Sequence, residues 1–514
     1  MTEIELKFVI DEPMAGRVWT RAKELKLVSG SRKTRTVRSV YLDTPEYVLK
    51  DSGITLRLRR LGRRWTQTVK TKAKPHGGLS QVDELESAAP GGRLCLETIP
   101  DAAVRDEIIR RVNGSPLQPV FETVMKRTAS ELSLSEGTRA ELATDVGEIR
   151  AEGRSAELRE AEIKFVEGRR ADLFDIAHAL FPNGGLRFSR VSKADRGYLL
   201  AAEGRIDSPL APRKAEAIAL DPTQTAEQAA RDILRECFDQ ITANMLVVQK
   251  LDDPEGPHQL RVGLRRLRSA FSVFTLVLQS PELSRLGEEA RWLGEEVGRL
   301  RDIDVVNDIV RREADSHPGE PGLSALADGL SEQAAEVRGQ LRKCLTEARA
   351  QAFVIDLARF VETRGWLVPE DFGRTERLAA LSVLAESALS KRWRKVSKRA
   401  RGLKTLDVGQ RHELRKELKK LRYAVEFLSP LFLAKRVEPF VKRLKKLQTV
   451  FGDLNDAATV KAMFARTEVR CGSDLLGQRA IGWVIGASQA HAEYSWAGAR
   501  AMWRDLKETQ PFWK

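Results

Sequence analysis

Apolar and charged residues alternate without a break at the start of the chain. In MTEIELKF, Ile4, Leu6 and Phe8 share one parity, and Glu3, Glu5 and Lys7 share the other. On a β-strand the two sets point to opposite faces. Similar runs predict strands near 2–10, 36–43, 54–61, 64–72, 81–87, 118–126, 129–135, 139–147 and 158–166. Short helical patterns fit between them near 14–27, 101–112 and 171–181. PHGG at 75–78 has the composition of a hairpin loop. Residues 202–223 carry Gly204, Pro209, Pro212 and Pro222 without a clear period, which is a linker composition. From about 225 the apolar period becomes helical, with breaks near Pro254–Pro257, Pro281, His317–Pro321, Pro369 and Gly402–Gly409. The pattern predicts about ten helices and no strands in this half.

The charged strand faces carry a second pattern. Glu-x-Glu-x-Lys recurs as Glu160, Glu162 and Lys164. Arg57 and Arg59 share a face, as do Lys70 and Lys72, Glu84 and Glu86, and Glu141 and Asp145; Glu148 follows what reads as a turn after Gly147. For any one strand a solvated face is the commoner explanation. Pairs of full charges on six strands, blocked by sign and two residues apart, fit a closed barrel with a polar interior better. The apolar outer face then needs a cover of helices or a second domain. Clustered carboxylates repel unless a cation gathers them, and a hard divalent ion takes oxygen ligands. Clustered arginines and lysines suit a multiply charged anion such as phosphate. Together they describe a metal-dependent site for a linear polyphosphate.

Composition narrows the setting. The 514 residues are 42% hydrophobic and 31% charged, a globular balance. The net charge is +14, and both halves are basic. Cys95, Cys237, Cys344 and Cys471 lie far apart, without disulfide-framework or zinc spacing. The chain enters a charged strand at once, so no signal peptide is expected. No apolar run is long enough to cross a membrane. These features point to a reducing, cytoplasmic compartment.

The helical half contains a repeat. HQLRVGLRRLRSAF at 258–271 and HELRKELKKLRYAVEF at 412–427 align His258, Arg261, Arg265 and Arg268 with His412, Arg415, Lys419 and Arg422, at an offset of 154. The same offset relates Gly298-x-Leu300-x-Asp302 to Gly452-x-Leu454-x-Asp456. Two matches at one offset predict an internal duplication. The 3, 4, 3 spacing puts each histidine and its three bases on one helix face. Asp302, Asp304, Asp453 and Asp456 are candidates to fix those bases or to cap helices. The basic stretches lack interleaved aromatics, which argues against nucleic acid as the partner.

These residues carry two resemblances. Residues 1–203 resemble the CYTH family of triphosphate tunnel metalloenzymes, through Glu3-x-Glu5-x-Lys7, the strand pairs above, Arg127, Asp145-x-Gly147-Glu148 and SKADRGY at 192–198. The second acidic strand reads EAEIK where the family often has an ELELK-like run. Residues 224–510, after a linker at 204–223, resemble the CHAD domain, through the two His-x-x-Arg helices, LRDIDVV at 300–306 and FGDLNDA at 451–457. The implied fold is α+β: an antiparallel β-barrel tunnel, followed by an all-α domain of two pseudo-symmetric helical bundles.

By resemblance Glu3, Glu5, Lys7 and Lys193 carry catalysis. Arg57, Arg59, Lys70, Lys72, Arg127, Lys164 and Arg196 bind substrate. Glu3, Glu5, Asp145, Glu148, Glu160 and Glu162 hold Mg²⁺, with Mn²⁺ as the alternative. His258, Arg261, Arg265, Arg266, Arg268, His412, Arg415, Lys416, Lys419, Arg422, Lys442, Lys445 and Lys446 bind inorganic polyphosphate. The implied activity is hydrolysis of tripolyphosphate to diphosphate and phosphate, by a triphosphatase in the cytoplasm or at polyphosphate granules. The alternatives are a catalytically weak polyphosphate-binding protein, and a tunnel enzyme for another triphosphate, such as thiamine triphosphate or a nucleoside triphosphate.

Overall fold

A computed structural model describes residues 2–71, 78–134, 137–182, 187–367, 380–465 and 474–514. The chain divides into two compact units: residues 1–210 with Thr346–Thr363, and Ala211–Leu345 with Arg364–Lys514. Lys72, His76 and most of the 75–78 loop lie outside the described residues.

The first unit is a closed antiparallel barrel. Its strands are β1 (Thr2–Val9), β2 (Lys33–Asp43), β3 (Ile54–Leu61), β4 (Arg64–Thr71), β5 (Leu79–Ala88), β6 (Gln118–Ser133), β7 (Arg139–Ala151) and β8 (Arg154–Glu167). They run in the order β5-β4-β3-β2-β6-β7-β8-β1, and β1 pairs back onto β5 to close the ring; the short β9 (Arg187–Phe188) joins β1. The two strands expected at 118–126 and 129–135 are one strand of 16 residues, β6, paired without interruption to β7. The turn expected before Glu148 is likewise absent, because β7 runs straight through Gly147.

The outer face is apolar and covered, as the alternation requires. Leu56, Leu58 and Val69 pack with Leu49 of α2 (Val48–Asp51) and Ile108 of α3 (Ala102–Val112). Helices α1 (Glu12–Glu24) and α4 (Asp172–Leu180) lie on β8. Trp19 of α1 donates its indole N–H to Thr144 Oγ1 at 2.8 Å.

A helix not foreseen from the strand pattern, α5 (Lys193–Glu203), packs on β6, β7 and β8. Its start is fixed by a reciprocal cap between Ser192 and Asp195. Ala194, Tyr198, Leu200 and Ala201 bury against Tyr41, Phe121, Met125, Ile149 and Leu158. Those strand residues share the parity of Arg127, Asp145 and Glu160, so α5 fills part of the lumen with an apolar plug. A Cβ at Gly197 would fall 2.0 Å from the Phe121 ring, so glycine permits this approach.

The second unit is helical, with α6 (Ala226–Lys250), α7 (Glu255–Val273), α8 (Pro281–Ser316), α9 (Leu323–Thr346), α11 (Leu381–Arg399), α12 (Val408–Leu428), α13 (Ala434–Phe464) and α14 (Leu475–Glu508). The remaining helix, α10 (Ala348–Glu362), belongs to the first unit. It packs on α4, with Asp356 2.7 Å from His178 Nε2 and Arg359 Nη1 donating to Asp175 at 2.8 Å. The second half of the linker composition is docked on the helical unit. Arg213 pairs with both carboxylate oxygens of Glu236, and its backbone N–H donates to Asn244 Oδ1 at 3.0 Å.

Candidate functional site

The barrel register places Glu3, Glu5 and Lys7 on the inner face of β1. Glu5 lies opposite Lys164 of β8, and Lys7 lies opposite Glu162. Asp145 of β7 faces both Arg127 and Glu160. Arg57, Arg59, Lys70 and Glu84 complete the wall on β3, β4 and β5. Two neighbouring clusters result.

In the first, Glu3 accepts from Lys70 Nζ at 2.5 Å and from Lys164 Nζ at 2.8 Å. Glu84 accepts from Arg57 at 2.9 Å and lies 3.4 Å from Lys70. Arg59 is 3.9 Å from Glu86. In the second, Lys193 from the first turn of α5 lies 2.6 Å from Glu160, 2.6 Å from Glu162 and 2.9 Å from Asp145. Arg127 donates two hydrogen bonds to Asp145, at 2.8 and 2.6 Å, and a third to Glu162. Between the clusters Lys7 pairs with Glu5 at 2.8 Å.

Burial and neighbours divide the carboxylates. Burial opposes charge on Glu3, but Lys70 and Lys164 outweigh it and hold the group well below the usual carboxylate range. Glu162 and Asp145 are held low in the same way, by Lys193 and then Arg127. Glu5 goes the other way: burial raises it, Lys7 offsets this only in part, and Glu162 and Glu3 add repulsion. Glu5 Oε1 and Glu160 Oε2 are buried against the Lys7 and Lys193 ammonium groups, and the buried Glu160 Oε1 accepts no hydrogen bond.

That donor set is chemically suited to a hard divalent cation. It is all oxygen, it is over-acidic around Glu5, and the buried Glu160 Oε1 accepts no hydrogen bond. Among the described residues no group of three ligating side chains is placed to hold a metal, and the point that Asp145, Glu160 and Glu162 share is taken by the Lys193 ammonium. The cations also need a partner. Arg59 is pushed down to about 10 by burial and then by Arg57 and Arg127, which an anion would reverse.

Two expected residues fall elsewhere. Glu148 is on the outer face of β7, half-exposed and paired with Arg150, so strand alternation removes it from the ligand set. Gly147 occupies the inner position next to it, where a Cβ would fall 2.1 Å from the Val124 carbonyl oxygen. Arg196 lies behind the lumen, buried, paired with Asp207 and 4.0 Å from Glu160. Lys72 is outside the described residues. Tyr41, on the inner face, was not singled out. Burial raises its hydroxyl, but Arg57 beside it draws it below its ordinary value.

The helical unit holds a cleft of about 790 Å³. Arg261 and Arg265 of α7 meet Arg415 and Lys419 of α12 across it, so the two copies of the repeat face each other. His258, Arg266, Arg422 and Lys445 also line it. Arg301 of α8 and Lys214 of the docked linker join them, and the spacing in the sequence pointed to neither. Acids are fewer. Asp302 accepts from Arg261 at 2.9 Å and fixes a base of the repeat as expected, whereas Asp304 lies 3.6 Å from Arg338, outside that set.

The cations crowd one another. Lys419 is pushed down to about 6, first by burial and then by Arg265, Arg415 and Arg261. Arg415 is pushed down to about 10 by burial and Arg265. His258 is lowered by burial and Arg301.

Other members of the expected basic set are engaged by acids or placed away from the cations of the cleft. Arg266 does line it but is buried, paired with Glu426, and stacked 5.3 Å from the Phe427 ring. Arg268 faces Arg291 and Glu295. Lys416 pairs with Glu413 at 2.9 Å. His412, Lys442 and Lys446 are exposed outside the lining. His491 is exposed, 3.7 Å from Asp453.

Comparison with known proteins agrees with this division. Residues 1–198 match the family model described as the CYTH domain, and residues 232–465 match that of the CHAD domain. The chain is 28% identical over 204 residues to a Haemophilus influenzae protein named inorganic triphosphatase; the match covers 40% of this chain and 56% of that protein. It is 25% identical over 484 residues to an uncharacterized protein of Mycobacterium tuberculosis, covering 88% and 86% of the two chains. The crystal structure of the CHAD domain from the plant Ricinus communis superimposes with a TM-score of 0.50 at 27% identity, covering 58% of this chain and 97% of that one.

Proposed function

We propose, for a chain that carries a CYTH domain at 1–198 and a CHAD domain at 232–465, that the barrel is a metal-dependent inorganic triphosphatase and the helical unit binds inorganic polyphosphate. One observation carries the reading of the barrel: its inner wall alternates carboxylates with cations around a closed ring of strands. A linear triphosphate offers its anionic oxygens to Arg57, Arg59, Lys70, Arg127 and Lys164 in exchange for the carboxylates that hold them now, and the reaction adds one water to give diphosphate and phosphate. The similarity to a protein named inorganic triphosphatase supports the substrate class.

Glu3, Glu5, Asp145, Glu160 and Glu162 would hold the metal, which supplies charge neutralisation at the phosphate oxygens when bound. The chain's own part is positioning. Arg57 and Arg127 present planar donors to phosphate oxygens. Lys193 and Lys7 keep the carboxylates ionised and in place. The apolar plug of α5 and Tyr41 bounds the wet part of the lumen. Trp65 lies at the outward parity of β4, so it offers no stacking surface to a nucleoside base inside.

The cleft between the two repeat copies supports the second part. It gathers guanidinium and ammonium groups with few acids, and crowding depresses Lys419 and Arg415. A bound phosphate chain would raise the local concentration of chain ends and short products for the barrel.

The test is phosphate release from tripolyphosphate with and without Mg²⁺, for the wild type and Glu5→Gln. Metal-dependent release that the substitution abolishes is expected. Faster turnover of thiamine triphosphate or ATP would overturn the substrate, and no release from any triphosphate would overturn the activity.

A further inference from the structure

The cleft of the helical unit has two chemically different ends. Helices α12 and α13 run antiparallel beside it, and Gln448 Nε2 donates to the Leu418 carbonyl at 2.9 Å, which fixes their register. Arg415 and Lys419 on α12 share their part of the lining with Asn455, Asp456 and Thr459 on α13, and the Asp456 carboxylate acts on both cations. Further along α12, Val425, Phe427 and Pro430 lie level with Val441 and Leu444. Twelve residues of helix separate Arg415 from Phe427, about 18 Å.

The docked linker sits at the apolar end. Glu236 holds Arg213 and the backbone N–H of Glu216, and its neighbour Cys237 lies against Arg266, which pairs with Glu426 of α12. Ala215, Ala217 and Ile218 then add to the apolar lining there. This end joins apolar walls to a few cations, Lys214, Arg422 and Lys445, as ligand pockets do, and a bare phosphate chain makes no use of the apolar part.

We propose that this cleft accepts an organic polyphosphate, a phosphate chain esterified to an apolar body, with its phosphates on Arg261, Arg265, Arg415 and Lys419 and its body between Ile218 and Val441. The proposal rests on the reading of the cleft as an anion site and names a ligand class that inorganic polyphosphate does not cover. Nucleoside polyphosphates belong to that class.

The probe is adenosine 5′-tetraphosphate with a photoreactive azido group on the base, applied to the full chain in EDTA. Labelled peptides are mapped by mass spectrometry, and inorganic tetraphosphate serves as competitor. Labels on 214–218 and 430–445 are expected, with inorganic tetraphosphate at least ten-fold weaker as a competitor than unlabelled adenosine tetraphosphate. Val441→Ser and Ile218→Ser, both partly exposed positions, add no charge and should remove that difference while leaving competition by inorganic tetraphosphate unchanged. Arg415→Ala should weaken both compounds. Labelling confined to the barrel, or equal competition by the two compounds, overturns the organic ligand. If Arg415→Ala leaves inorganic tetraphosphate unaffected, the anion reading itself fails.

Discussion

Lys193 and Glu160 meet at 2.6 Å inside the barrel, one from the first turn of a helix and the other from the middle of a strand. The ammonium also reaches Glu162 and Asp145, so one lysine holds three buried acids. Removing one partner of such a group leaves buried charge without compensation. Lys193→Met should therefore lower stability by about 3–5 kcal/mol, measured by denaturant unfolding in the absence of metal. Added divalent cation should restore part of the loss by gathering the same carboxylates.

Inner and outer residues of one strand should behave oppositely. Glu160→Gln is expected to reduce triphosphate turnover roughly 100-fold or more. Glu148→Gln, on the outer face beside Arg150, should leave turnover unchanged. Equal losses would mean that strand parity does not assign the ligands.

Glu5 predicts a trade between stability and activity. Its carboxyl is raised by burial, so ionising it opposes folding, and the cost grows as pH rises through the raised value. Glu5→Gln should raise the melting temperature of the metal-free chain at pH 7 while abolishing turnover. The gain should shrink below pH ~4, where the wild-type group is protonated in both states.

Glu3, Asp145 and Glu162 predict the reverse dependence. Each is held below the carboxylate range, so each contributes stability above pH ~4 that is lost as pH falls through its lower folded value. Arg127→Gln should flatten this acid limb in a pH series of unfolding curves.

Lys419 predicts a proton balance. With its amine pushed down to about 6, the empty cleft holds it neutral at pH 7.5. A polyanion restores the charge, so binding should take up close to one proton there and none well below pH 6. Calorimetry of polyphosphate binding in two buffers of different ionisation enthalpy measures this uptake, and Lys419→Met should remove it. An uptake unchanged in the variant would show that another group titrates.

The lumen was legible because a buried charged face can belong only to one parity of each strand, and Glu3, Arg57, Lys70 and Glu162 each declare that parity. Glu148 misled because Asp-Val-Gly-Glu has the composition of a turn. The glycine is there for a different reason, the close approach of the Val124 carbonyl. Helix α5 carried a readable signal, Ser192 three residues before Asp195, but a cap does not say that the helix enters a barrel. In the helical half the 154-residue offset identified the two helices that face the cleft. It could not separate Arg265, which lines the cleft with no acid bound to it, from Arg266, one step round the helix and paired with Glu426. Arg301 and Lys214 arrive through helix packing and linker docking, which leave no spacing in the chain.

The return of α10 to the first unit sets an order of events during synthesis. Its seat on α4 is complete once residue 180 has been made, but the helix that fills the seat ends at Glu362. At roughly 5–20 residues per second the intervening stretch takes about 10–40 s. For that time the nascent barrel presents an uncovered helix face, and a chain cut short before residue 346 never acquires its cover.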